Sequence, residues 1–264
     1  MALADILFAQ GFGTRRQCAG LVAQGAVRVQ GAVCDDPATG FVMQGLVIEV
    51  QGEPWTCHSP AYLMLHKPAG TECSQRASAW PSVYTLLPSP LRQRPRRGSA
   101  PGVQAVGRLD QDTTGLLLLS DDGSFIHRMS SPRHHVPKVY EATLKHAITP
   151  SICERLLQGV VLDDDPQPVS ALACEATGDF TLRITLAEGR YHQVKRMVAA
   201  VGNRVDALHR SAIGAYSLPA DLAPGQWCWL DPAALYTAPA PASRPATGPE
   251  PASTPAPSPA GPSR

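Results

Sequence analysis

Four consecutive leucines, Leu116–Leu119, follow directly on the polar segment Gly107-Arg108-Leu109-Asp110-Gln111-Asp112-Thr113-Thr114-Gly115 and precede Ser120-Asp121-Asp122-Gly123. An apolar run of this length between turn residues reads as a buried strand. The strand holds in place a short loop that carries one arginine, two carboxylates and two hydroxyls between two glycines. Chemistry beside a rigid element is one reading of such a loop. A structural turn is the other, because Asp and Thr side chains bond nearby backbone amides.

A chain of 264 residues, 44% hydrophobic and 17% charged, can bury an ordinary core as one large domain or two unequal ones. It contains no apolar run of membrane-spanning length. Its start, Met1-Ala2-Leu3-Ala4-Asp5, lacks the basic and apolar regions of a signal peptide, so a cytoplasmic protein without membrane contact is expected. Cys18, Cys34, Cys57, Cys73, Cys153, Cys174 and Cys228 stand far apart, which supports neither a disulfide framework nor a zinc knuckle. The net charge of +1 excludes a uniformly basic coat, and any nucleic-acid footprint must come from local clusters.

Residues 1–58 read as a small unit. Leu3, Ile6 and Leu7 lie at helical spacing before Gly11, and Thr14 caps a second helix that Gly25 ends. Short strands follow at 27–29, 32–33 and 46–50. Arg15 and Arg16 fall in the first helical turn, where the macrodipole disfavours cations by ~0.3–1 kcal/mol. An anionic partner is the simplest compensation.

Residues 59–236 read as a larger α+β domain. A strand at 62–66 ends at Lys67-Pro68, and residues 77–101 are expected to be irregular, with Arg92, Arg94, Arg96 and Arg97 in a solvated loop. Helices are expected at 124–130 and 150–157, and strands at 138–144, 169–175, 180–186, 204–209 and 213–218. Val194, Met197, Val198 and Val201 mark the core face of another helix, whose first turns are crowded by Arg190, His192, Lys195 and Arg196. From 237 to 264 the chain turns to Pro, Ala, Ser and Gly, with nine of its 26 prolines, and is expected to be disordered.

Three chemistries fit parts of the central loop. Asp110, Asp112 and Thr114 match the Asp-x-Asp-x-Thr of haloacid-dehalogenase-like phosphotransferases, but there the apolar strand precedes the first Asp. A calcium loop running from Asp110 to Asp121 would need helical flanks and a terminal Glu. His127, His134 and His135 lack the spaced partners of a metal shell. Neither a metal nor a cofactor is expected.

The third reading covers far more residues. The Gly-Arg-Leu-Asp-x-Asp-Thr-Thr-Gly-Leu-Leu-Leu-Leu-Ser-x-Asp-Gly run at 107–123 resembles the central motif of the pseudouridine synthases. Tyr140 and Glu-Gly-Arg-Tyr-His-Gln-Val-Lys-Arg-Met at 188–197 resemble further motifs of the branch that modifies ribosomal RNA, and residues 11–31 resemble the S4 RNA-binding domain.

The resemblance implies a small S4-like domain followed by a catalytic domain built on a mixed, mainly antiparallel sheet with flanking helices. It implies isomerisation of a uridine in ribosomal RNA, small-subunit RNA first and large-subunit RNA as the alternative. A non-catalytic ribosome-assembly factor is the rival from another class. By resemblance Asp110 is the nucleophile, Tyr140 stacks on the extruded uracil, and Lys195 is the cation paired with Asp110, since a neighbouring cation favours a carboxylate's ionised form. Asp112, two residues along an extended backbone, would point elsewhere and hold the loop. Arg15, Arg16, Arg108, Arg133, Arg190, His192 and Arg196 are the expected RNA contacts. The expected partner is ribosomal RNA or a small-subunit assembly intermediate, met by a monomer.

Overall fold

Gly11, in a left-handed conformation (φ 93°), ends the first helix and lets the chain reverse into the second, as the computed structural model shows. The structure describes residues 1–95, 102–163 and 165–230. Helices α1 (Leu3–Gln10) and α2 (Arg15–Ala23) cover a sheet formed by β1 (Val27–Val29), β2 (Ala32–Val33), β3 (Val47–Val50) and β4 (Glu53–Thr56), antiparallel in the order β2-β1-β3-β4. Leu3, Ile6, Leu7, Val22, Val27, Ile48 and Val50 make its core, which extends to Cys57. Thr14 caps α2 as expected: its hydroxyl accepts from Gln17 N, and Gln17 Oε1 accepts from Thr14 N. Strand β4 was not expected from sequence. It carries Pro54, which a sheet edge tolerates because the missing N–H falls outside the ladder.

The larger lobe opens with β5 (Tyr62–Lys67), a 3-10 turn at Val83–Leu86 and α3 (Ser89–Gln93). There follow β6 (Gln104–Ala105), β7 (Thr114–Ser120), α4 (Gly123–Ser130), β8 (Lys138–Leu144) and α5 (Pro150–Gln158). The remaining elements are β9 (Val160–Leu162), β10 (Asp165–Val169), β11 (Ala173–Ala176), β12 (Thr181–Leu186), α6 (Gln193–Ala200), β13 (Val205–Ile213), β14 (Tyr216–Ser217) and β15 (Trp227–Trp229). The main sheet runs β11-β12-β8-β13-β7-β5-β15, with β14 on β13 and β6 on β7. The β13–β7 pair is parallel and the other pairs are antiparallel, so the expected α+β class with a mixed, mainly antiparallel sheet holds.

Strand β7 explains the leucine run. Side chains alternate across a sheet, and here both faces are covered. Leu117 and Leu119 pack with Leu63, Leu65, Val83 and Leu91, while Leu116 and Leu118 pack with Met64, Phe125, Met129 and Ile213. Each leucine removed from water contributes roughly 1.5–3 kcal/mol, which fixes the position of whatever precedes Thr114.

The stretch expected to be irregular is ordered in its middle. Val83, Leu87 and Leu91 are fully or nearly fully buried. Arg94, expected in a solvated loop, is 1% exposed. Arg96 and Arg97 lie outside the described residues, as do residues 231–236, expected to end the larger domain, and 237–264, expected to be a disordered tail. The strand expected at 169–175 is two strands interrupted at 170–172, and β13 is one strand to Ile213 that turns at Gly214 (φ 58°) into β14.

Candidate active site

The Asp110 loop is clamped from three directions. Lys67, wholly buried at the end of β5, donates from Nζ to the carbonyls of Pro68 (3.0 Å), Gln111 (3.3 Å) and Thr113 (3.0 Å). Gly70 N donates to Gln111 O at 2.8 Å, and Thr113 N donates to Asp110 O at 3.2 Å, closing a turn. On the third side Gly115 (φ 106°) lies so close to β13 that a Cβ there would stand 2.3 Å from Arg210 O. Only glycine fits that backbone conformation and that approach.

Helix α6 supplies the cation. Val194, Met197, Val198 and Val201 are buried as the spacing predicts, and they set the helix so that Lys195 faces the loop. Its Nζ donates to Asp110 Oδ2 at 3.1 Å and to Asp112 Oδ1 and Oδ2 at 2.8 and 3.0 Å. The expectation that Asp112 points away is therefore corrected. Residues 110–113 form a turn and not an extended segment, so both carboxylates converge on one ammonium. Burial pushes the Lys195 pKa down, but its hydrogen bonds and charge contacts with Asp112 and Asp110 outweigh this and raise it. For Asp112 burial pushes upward, and the hydrogen bond and charge of Lys195 prevail and lower it.

Beyond Asp110 lies a cavity of about 120 Å³, lined by Arg108, Asp110, Tyr140, Arg190, His192 and Lys195 among others. Six of the ten expected site residues thus share one cavity. Tyr140, on β8, is 8% exposed and stands directly across the ladder from Arg210. His192, left-handed at the start of α6 (φ 49°), brings Nε2 to 3.3 Å from Asp110 Oδ1 and stacks on Tyr191. Arg190 pairs with Glu188 (2.7 Å), and Arg196 donates to Tyr191 O (3.2 Å).

Four expected residues do not line the cavity. Arg133 is exposed after α4, and Arg196, next to Lys195 in the first turn of α6, is partly buried without lining the cavity. Arg15 and Arg16 belong to the smaller lobe. There Arg15 pairs with Asp5 and lies over the Phe8 ring, so the cost of a cation at the start of α2 is offset within the chain, and Arg16 is exposed. Among the described residues no group of three His, Cys, Asp or Glu side chains is placed to hold a metal ion. His127 and His134 meet only edge to face.

The model of the RNA pseudouridylate synthase family matches residues 61–200, more than half of the chain and all of the cavity's central loop. The chain belongs to that family. The S4 domain model matches residues 1–40 of this synthase. The ribosomal small subunit pseudouridine synthase A of Escherichia coli strain K12 is 40% identical to it over 225 residues, 84% of this chain and 94% of the relative. The protein of the same name from Salmonella typhimurium strain LT2 is 39% identical over the same shares. A solved pseudouridylate synthase superposes with a TM-score of 0.61 at 33% identity, covering 89% of this chain and 98% of that one. No helix among the synthase's described residues is long and apolar enough to cross a membrane.

Sequence reading missed Lys67 and Arg210 as supports of this site. Lys67 was visible as the last residue before Pro68, but nothing in its neighbours shows that three carbonyls converge on it. Arg210 sits in an ordinary strand pattern. Lys138, two residues before Tyr140, also lines the cavity and donates to Val136 O at 2.9 Å, and burial, with Arg210 beside it, pushes its pKa down.

Proposed function

We propose that this synthase isomerises one uridine of small-subunit ribosomal RNA to pseudouridine, with Asp110 as the nucleophilic carboxylate. The observation that carries the reading is the placement of the Asp110 carboxylate. It meets Lys195 at 3.1 Å, on a loop clamped by Lys67, at a cavity whose wall includes Tyr140. The identity to small-subunit synthases across nearly their full length supports the choice of substrate.

The target uridine leaves its stack at a cost of a few kcal/mol and enters the cavity. Asp110 acts on the sugar, by bonding to C1′ or by taking the C2′ proton, while the N1–C1′ bond breaks and its electron pair stays on the base as uracilate. The ring turns, C5 bonds to C1′, the sugar is released from Asp110 or regains its proton, the C5 proton departs and N1 takes one up. Tyr140 packs against the base and is the group assigned to receive the C5 proton. The sum is an isomerisation with no redox change.

Lys195 keeps Asp110 aligned and its charge balanced. Arg108, Arg190 and His192 at the cavity, with Arg133 and Arg196 beside it, contact the surrounding RNA. Arg15 and Arg16 extend the contact along the S4-like unit, assigned to residues 1–58, ahead of a catalytic unit at 59–236 and a tail at 237–264. Binding weakens with salt, as phosphate contacts require. The protein works as a monomer in the cytoplasm, on free RNA or a small-subunit assembly intermediate.

Mapping pseudouridine in ribosomal RNA from cells lacking the protein, complemented with wild type or Asp110→Asn, tests this. One small-subunit site disappears in the null strain, returns with wild type and stays absent with the variant. Restoration by Asp110→Asn removes Asp110 as nucleophile. A site lost from large-subunit RNA instead reassigns the substrate, and no lost site leaves an RNA-binding assembly factor as the better account.

A further inference from the structure

Arg210 and Thr113 line the Asp110 cavity, and each holds a buried polar atom, Arg210 Nη2 and Thr113 Oγ1, that makes no hydrogen bond within the described protein. Their residues are 2% and 1% exposed. An unsatisfied guanidinium N–H in the interior is costly, and folded proteins rarely leave one without a reason. The cost is recovered when a ligand brings an acceptor.

The Arg210 side chain is anchored at Nε before any ligand arrives. Its Nε donates to Leu116 O at 2.9 Å, and its guanidinium carbon lies 6.0 Å from the centroid of the Tyr140 ring. The ladder places Arg210 opposite Tyr140, and the register shifts between Arg210 and Ala212, an irregularity of the kind that re-aims side chains near active sites. Gly115 lets the β13 backbone approach closely enough for this. The arrangement is a preorganised donor beside the aromatic ring assigned to the base.

The acceptor's chemistry follows from the depth. Backbone phosphates of a bound RNA stay at the surface, where Arg108 is exposed, whereas Arg210 is enclosed. A flat ring entering the cavity carries carbonyl oxygens O2 and O4, and both gain negative charge when the N1–C1′ bond breaks. We propose that Arg210 Nη2 donates to one carbonyl oxygen of the extruded uracil and stabilises the uracilate. The assignment rests on the uridine-isomerising reading and adds to it a catalytic residue on the base, separate from the Asp110 and Lys195 pair on the sugar.

The test uses the full-length protein and RNA carrying uridine, 2-thiouridine or 4-thiouridine at the mapped site, with single-turnover rates for wild type, Arg210→Met and Arg210→Lys. Sulfur accepts hydrogen bonds poorly. With uridine, Arg210→Met slows the reaction about 10- to 100-fold at unchanged RNA affinity. One of the two thio substitutions slows wild type about 10-fold and has no further effect on Arg210→Met, a non-additivity that marks direct contact. Should Arg210→Met fail to fold, Arg210→Lys keeps a buried cation and gives the same comparison. If each variant loses the same factor on all three RNAs, Arg210 is only structural and the proposal falls. Absence of pseudouridine from wild type on the uridine RNA overturns the underlying reading instead, and the proposal with it.

Discussion

At the scale of the residue, the site is decided by one ammonium shared between two carboxylates. Lys195 is closer to Asp112 than to Asp110, so Asp112 takes up much of the cation and keeps it in place while Asp110 remains partly open to the cavity. Removing the lysine leaves two carboxylates facing each other. Lys195→Met is expected to lower turnover at least ~100-fold, because alignment and charge balance fail together. The same pair sets a pH dependence of stability. The Asp112 pKa is depressed by folding, so its contribution is present above the ordinary aspartate range and is lost as pH falls through the depressed value. The Lys195 pKa is raised, so its contribution is present below the ordinary lysine value and lost as pH rises through the raised one. Unfolding free energies of wild type and Lys195→Met should therefore differ by a constant amount at neutral pH, about 1 kcal/mol once solvent screening of the exposed Asp112 is allowed for. The difference should shrink toward zero in acid and in strong alkali. A gap that persists after Asp112 is protonated would show that Lys195 acts through packing instead.

At the scale of the element, β7 joins stability to function. Its two covered faces anchor the strand, and Gly115 near its start lets β13 come alongside in parallel. Gly115→Ala places a Cβ 2.3 Å from Arg210 O on a backbone conformation that alanine adopts only under strain. The expected cost is at least ~2 kcal/mol, read as a fall in melting temperature of ~4–8 °C, with activity reduced further because Arg210 and the Asp110 loop share that contact. An unchanged melting temperature would mean that the two strands separate easily. The regular elements were legible because their signals are local: leucines bounded by turn residues, the Thr14 cap, the Val194 to Val201 spacing. The direction of Asp112 was not legible, because a two-residue offset gives opposite faces only in an extended chain, and the turn closed by Thr113 N depends on Lys67, which lies far away in sequence. Strand β4 was hidden by Pro54, which counts against a strand everywhere except at an edge.

At the scale of the whole molecule, the two lobes are joined by Arg94. Its Nε donates to Asp121 Oδ2 at 2.7 Å, one terminal nitrogen donates to Gln10 Oε1 at 3.0 Å, and the other donates to His58 O at 2.6 Å. Gln10 belongs to the smaller lobe and Asp121 follows β7, while Trp55 and Trp229 meet edge to face across the same junction. In the sequence Arg94 is one of several arginines among prolines, and such composition ordinarily marks a solvated loop. Composition cannot show a buried arginine, because its partners come from three separate stretches of chain. Truncating it leaves the largely buried Asp121 carboxylate without its cation, while Gln10 Oε1 keeps Trp55 Nε1 and His58 N as donors and His58 O keeps Gln10 Nε2. Breaking a buried pair from one side costs ~3–5 kcal/mol, so Arg94→Ala should lose that much and also loosen the lobes from each other. Calorimetry is expected to show one transition for wild type and two for Arg94→Ala, with the smaller lobe melting first. Modification of RNA should then fall chiefly through weaker binding, since Asp110, Lys195 and Tyr140 all lie within the larger lobe. If the variant still melts in one step at the wild-type temperature, the junction is held by the aromatic contacts and Arg94 is not the link between RNA capture and catalysis.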